Sequence, residues 1–132
     1  MTVIALVADC TKTILLVDDD DLVRALGERI LKQAGYDVLT AGDGTEALEI
    51  YEREQGKIAL VILDLVMPKM GGKECLDELL KIDPLARVII SSGASADEEL
   101  KEEVKSRVRG LVDKPYEIRK LLHAVDVALE EN

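Results

Sequence analysis

Three short stretches of this 132-residue chain are apolar from end to end: ILLV at 14–17, IALVIL at 58–63 and VII at 88–90. Each is too short for a helix and rich in branched side chains, the pattern of strands buried on both faces. Two weaker runs, at 38–40 and 111–112, read as strands at the sheet edges. Helical spacing fills the gaps. Val23, Leu26, Ile30 and Ala34 share one face of a helix that Gly35 ends. Ala47, Leu48 and Tyr51 follow Asp43-Gly44-Thr45-Glu46, which resembles a capping box. Cys75, Leu76, Leu79 and Leu80 form a third helix that stops before Pro84. Leu100 and Val104 mark a fourth, begun by the capping pattern SADE at 95–98, and Ile118, Leu121, Leu122, Val125 and Leu129 make the last. Strand and helix thus alternate five times, which calls for a parallel sheet with helices on both faces. Right-handed crossovers leave few topologies. The expected one is a single (βα)5 domain with strand order 2-1-3-4-5. Its ligand site should lie at the carboxyl ends of the strands, beside strand 1.

That rim is where the chain is most unusual. The first strand runs straight into Asp18, Asp19, Asp20 and Asp21. Two carboxylates about 4 Å apart repel by roughly 4 kcal/mol at an effective dielectric near 20, so something must relieve the repulsion. One reading is a solvated acidic turn that caps the following helix; the other is a bound cation. Asp20 and Asp21 suit the first, as residues favoured at a helix N-terminus. Asp18 and Asp19 suit the second, because other strands deliver matching chemistry to the same rim. Strand 3 ends in Asp64, strand 4 in Ser92 and strand 5 in Lys114. In the expected order these strands are neighbours about 4.8 Å apart. Three carboxylates without a histidine or thiolate suit a hard divalent ion such as Mg²⁺, for which Mn²⁺ can substitute. Ser92 and Lys114 could then neutralise the oxygens of a transferring phosphoryl group, with Asp64 as the nucleophile. Ser91 competes with Ser92 for this place, since a slip of one residue in register exchanges their directions.

Composition narrows the alternatives. A net charge of −10 with three tyrosines and no phenylalanine or tryptophan argues against direct nucleic-acid binding. No apolar run is long enough to span a membrane. Cys10 and Cys75 have no metal-ligand spacing; Cys75 reads as a core residue, and a reducing, cytoplasmic compartment is expected. Residues 1–11 read as an N-terminal tail rather than a signal peptide, and 12–132 as one domain. His123 reads as a surface residue of the last helix.

The pieces ILLVDDDDLVR, AGYDVLTAGDGTEALE, LDLVMPKMGG, VIISSGAS and DKPY, in this order and over nearly the whole chain, resemble a response-regulator receiver domain of two-component signalling, which is a flavodoxin-like fold. The segment MGGKECLDELL is similar to receivers appended to hybrid sensor kinases. The resemblance implies that Asp64 accepts a phosphoryl group from a histidine kinase or a histidine phosphotransfer protein. It implies Asp19 as a direct metal ligand, Asp18 as one acting through water, and the Val66 backbone carbonyl as a third. Ser92 becomes the switch hydroxyl, Lys114 the phosphate-binding lysine, and Gly93 the small residue that keeps the site open. The Lys114-Pro115 bond is expected to be cis. Val66 and Ala94 stand where receivers tune phosphoryl loss; neither can orient water, so slow self-dephosphorylation is expected. The output surface would be helix 4, strand 5 and helix 5, which is also the face for a homodimer.

This chain departs from that pattern in two places. Leu111 stands where an inward-turning aromatic is common, and Arg107 where glycine is common. A receiver catalyses its own phosphorylation and slow dephosphorylation but is not a turnover enzyme. The rival reading takes DDDLV at 19–23 as the signature of a haloacid-dehalogenase-like phosphohydrolase, with Asp19 as nucleophile and Asp21 as general acid. It leaves Asp64 without a role.

Overall fold

A computed structural model describes residues 11–93 and 98–130. In chain order the elements are β1 (Thr13–Val17), α1 (Asp21–Gln33), β2 (Asp37–Ala41), α2 (Gly44–Arg53), β3 (Ile58–Asp64), α3 (Gly72–Ile82), β4 (Val88–Ser92), α4 (Glu98–Lys105), β5 (Gly110–Asp113) and α5 (Ile118–Leu129). The sheet is parallel and ordered β2-β1-β3-β4-β5, as the alternation required. The apolar runs at 14–17, 58–63 and 88–90 fall in its three central strands, and the two weaker runs fall in the edge strands.

The pleat sorts the strand residues into two cores. Leu15, Val17, Val61, Leu63, Val88 and Ile90 face α2, α3 and α4. Ile14, Leu16, Leu60, Ile62, Ile89 and Val112 face α1 and α5. Cys75 is part of the first core, as expected. The capping box at α2 forms with a variation. Asp43 accepts from the Glu46 backbone N–H at 2.8 Å, but Glu46 reaches back to the Gly42 N–H, at 2.7 Å, one residue before the cap.

Two helix faces differ from the expectation. The buried residues of α1 are Gly27, Ile30 and Leu31, while Leu26 and Ala34 are exposed. The reason is Gly27. A Cβ there would lie 2.9 Å from both Leu16 Cδ2 and Tyr116 Cε2, so the helix approaches the sheet along its glycine and turns Leu26 outward. In α5, Ile118 is exposed, and Leu121, Val125 and Ala128 carry the packing. The shortest helix, α4, buries Val104 alone. Ion pairs to α3 supplement it, Lys73–Glu103 at 3.0 Å and Arg107–Asp77 just beyond the helix end. The second pair gives Arg107 a role that glycine could not fill.

Candidate functional site

Four consecutive aspartates leave β1 with four different fates. Asp18 is fully buried. One of its carboxylate oxygens accepts from the Asp20 N–H at 2.8 Å, and the other from the Lys114 ammonium at 3.1 Å. Asp19 is exposed at the rim. Asp20 caps α1, accepting from the Leu22 and Val23 N–H groups at 3.0 and 3.1 Å. Asp21 points to solvent and pairs with Arg24 at 2.6 Å, while Arg24 also donates to the Asp18 carbonyl at 2.7 Å. The capping reading of this acidic run therefore holds for Asp20, while Asp18 and Asp19 stand where the cation reading put them, at the rim beside Asp64.

Asp64 completes the cluster from the end of β3. One ligand oxygen from each of Asp18, Asp19 and Asp64 lies within 4.8 Å of the others. Lys114 reaches across from the loop after β5 and donates to Asp64 Oδ2 at 3.0 Å, so a single ammonium bridges the two buried carboxylates. The Lys114-Pro115 peptide bond is cis, as expected. The loop after β3 folds tightly over the site. A Cβ at Gly72 would meet the Asp64 carbonyl oxygen at 2.5 Å and Leu65 Cα at 2.7 Å, so only glycine lets α3 begin there. Val66 is exposed beside Asp64, and its N–H approaches Asp64 Oδ1 at 3.4 Å.

Burial pushes the Asp64 carboxyl up to about 6; the Asp18 charge and Asp19 add to the rise, and Lys114 opposes it. Burial pulls the Lys114 ammonium down, but its bonds to Asp64 and Asp18 outweigh this and hold it above the ordinary lysine value. The site thus carries more negative charge than one lysine balances. Its donors are carboxylate oxygens, with no histidine or thiolate among them, a set that fits a hard divalent cation.

The two serines of β4 separate cleanly. Ser91 pairs in register with Asp64 and Val112, and its hydroxyl accepts from the Tyr116 phenol at 3.3 Å. Ser92 points to the other face of the sheet. With Gly93, Lys101, Asp113 and Lys114 it lines a cavity of about 300 Å³ beside the acidic cluster. A larger cavity of about 470 Å³, around Lys12, Tyr36, Asp126 and Glu130, lies by the amino end of β1 and contains none of these groups. Leu111 is partly exposed on the edge strand β5. Ala94 and the first ten residues of the expected tail lie outside the described residues. Sequence reasoning missed Gly27 and the Tyr116–Ser91 bond. An interior glycine in an otherwise good helix was the available signal for the first.

The rival reading is not supported: Asp21, its general acid, points to solvent and pairs with Arg24, while the acidic cluster gathers Asp64, for which that reading has no role, with Asp18 and Asp19. Among the described residues, no helix is long and apolar enough to cross a membrane.

Comparison with known proteins agrees with this arrangement. The sequence profile described as response regulator receiver domain matches residues 14–126. The sensor kinase CckA of Brucella abortus is 39% identical over 119 residues, which are 90% of this chain and 13% of that kinase. The chemotaxis protein CheY of Thermotoga maritima is 32% identical over 116 residues, covering 87% of this chain and 95% of that protein. Among solved structures, a chain of the CheX–CheY–BeF3–Mg complex from Borrelia burgdorferi superposes with a TM-score of 0.84 at 31% identity, covering 91% of this chain and 90% of that one. This chain belongs to the response-regulator receiver family, the phosphoryl-accepting signalling domains of two-component systems.

Proposed function

We propose that Asp64 is the phosphoacceptor and that Asp18 and Asp19 hold a Mg²⁺ ion with it, Asp19 directly and Asp18 through water. The observation that carries this reading is the Lys114 ammonium bridging Asp18 and Asp64, with Asp19 within 4.8 Å. The donor is a phosphohistidine of a histidine kinase or a histidine phosphotransfer protein. Asp64 attacks the phosphorus as the carboxylate. The P–N bond to the imidazole breaks, the nitrogen keeps the bonding pair and takes up a proton, and an acyl phosphate forms on Asp64. When bound, the ion supplies positive charge for the phosphoryl oxygens. Lys114 then turns from neutralising a carboxylate to binding a phosphoryl oxygen, and Ser92 donates to another from the β4 side. The Borrelia burgdorferi complex, which contains BeF3 and Mg, supports the same ligands here.

The added charge draws Ser92 and Lys114 inward and biases the face of α4, β5 and α5, where Leu111 lies. α4 suits such a response, since Val104 is its one buried residue. On this reading the chain is a switch and not a turnover enzyme. Its acyl phosphate is long-lived, since neither Val66 nor Ala94 can orient a water.

The reading is tested by titrating the full chain with beryllofluoride in the presence and absence of Mg²⁺ and following backbone amide shifts by NMR. Mg²⁺-dependent shifts at Asp64, Ser92 and Lys114 and through α4 are expected for wild type, and none for Asp64→Ala. Equal shifts in the two proteins would overturn it.

A further inference from the structure

Lys114 can bridge two carboxylates only if its loop is held down, yet Asp113, Pro115 and Glu117 around it are exposed. The buried residue of this loop is Tyr116. Its ring fills the space that α1 leaves at Gly27, where even a methyl group would come within 2.9 Å of Tyr116 Cε2. Its hydroxyl donates to Ser91 Oγ at 3.3 Å, and Ser91 is the register partner of Asp64. Burial pushes the phenol up to about 12, so it keeps its proton at neutral pH. One side chain therefore fastens the lysine loop both to α1 and to the strand beside the phosphoacceptor.

We infer that Tyr116 is a positioning residue for the phosphoryl site, and that Gly27 is the socket that makes the position available. Tyr116 sets where the Lys114 ammonium stands relative to Asp18 and Asp64. This rests on the role proposed above for Lys114, and it carries a signature that general damage lacks. Held between the two carboxylates, the ammonium competes with a divalent ion for their charge and also waits for the phosphoryl oxygens. Loosening Tyr116 must then tighten Mg²⁺ binding and weaken beryllofluoride binding together. A disordered site would lose affinity for both.

The experiment measures two dissociation constants for the full chain: Mg²⁺ alone by calorimetry, and beryllofluoride at saturating Mg²⁺ by NMR. The proteins are wild type, Lys114→Met, Tyr116→Phe, Tyr116→Leu and Gly27→Ala. Lys114→Met should show the pattern at its largest. Tyr116→Leu and Gly27→Ala should bind Mg²⁺ about threefold more tightly and beryllofluoride about tenfold more weakly, the size expected for one displaced charge-assisted contact. Tyr116→Phe keeps the ring in its socket and should shift both constants in the same directions by less. Should Tyr116→Leu fail to fold, Gly27→Ala and Tyr116→Phe still carry the comparison. If Lys114→Met shows the opposed shifts while the Tyr116 and Gly27 variants match wild type, or lose both affinities in parallel, the inference falls and the site reading stands. If Lys114→Met itself matches wild type, the site reading falls and this inference with it.

Discussion

Replacing Asp64 with asparagine should make the metal-free protein more stable at neutral pH. Asp64 is almost fully buried beside the equally buried Asp18, with one ammonium between them. A carboxyl that titrates at about 6 when folded and at 3.8 when free costs about 3 kcal/mol to keep ionised above pH 6. Asparagine removes that cost. It also weakens one bond from Lys114, but Lys114 keeps Asp18 and the amide oxygen still accepts. A net gain of about 1–3 kcal/mol follows at pH 7.5, or a urea midpoint higher by roughly 1 M at the slope usual for small domains. The pH dependence has a definite sign. The folded chain holds the Asp64 proton more tightly than the unfolded one. The stability this lends is fully present below about pH 3.8 and is lost as pH rises through about 6. Urea denaturation of both proteins in EDTA at half-unit steps from pH 4 to 8 should show their difference near zero at pH 4, rising to its plateau above pH 6. Mg²⁺ should narrow the gap by stabilising wild type. A difference that is flat across this range, or a variant less stable than wild type at pH 7.5, would refute the electrostatic reasoning.

Three further outcomes are expected. Val66 is exposed beside the acceptor, so Val66→Asn should shorten the acyl-phosphate lifetime by roughly tenfold, below the range of about 10²–10⁴ for a full general base, because a carboxamide only orients water; phosphoryl loss timed by intact mass checks this. Arg107 and Asp77 are both partly exposed, so a double-mutant cycle should give a coupling of about 0.2–1 kcal/mol, and Arg107→Gly should speed amide exchange in α4 while leaving β1 and β3 protected.

Much of the architecture was legible because its signals are redundant. The central strands needed no alternation to be recognised, and the helices between them fixed the parallel order. The acidic rim was legible for the same reason, since four strands deliver compatible groups to one edge. The face of α1 was harder to read. Leu22 and Leu26 look as apolar as core residues, and hydrophobic spacing cannot register that a helix approaches a sheet through a glycine. The serine pair shows a second limit. Period-two alternation places Ser91 with Ile89 and Ser92 with Ile90, but only the packed sheet shows that the first side faces Tyr116. Arg107 could be explained only once α3 was seen to supply Asp77.

The most direct measurement of the central claim is intact mass after incubation with acetyl phosphate. With Mg²⁺ present, wild type should gain the mass of one phosphoryl group, and peptide mapping should place it on Asp64. EDTA or Asp64→Asn should abolish the gain. An equal gain in Asp64→Asn, or one that needs no divalent ion, would contradict the account.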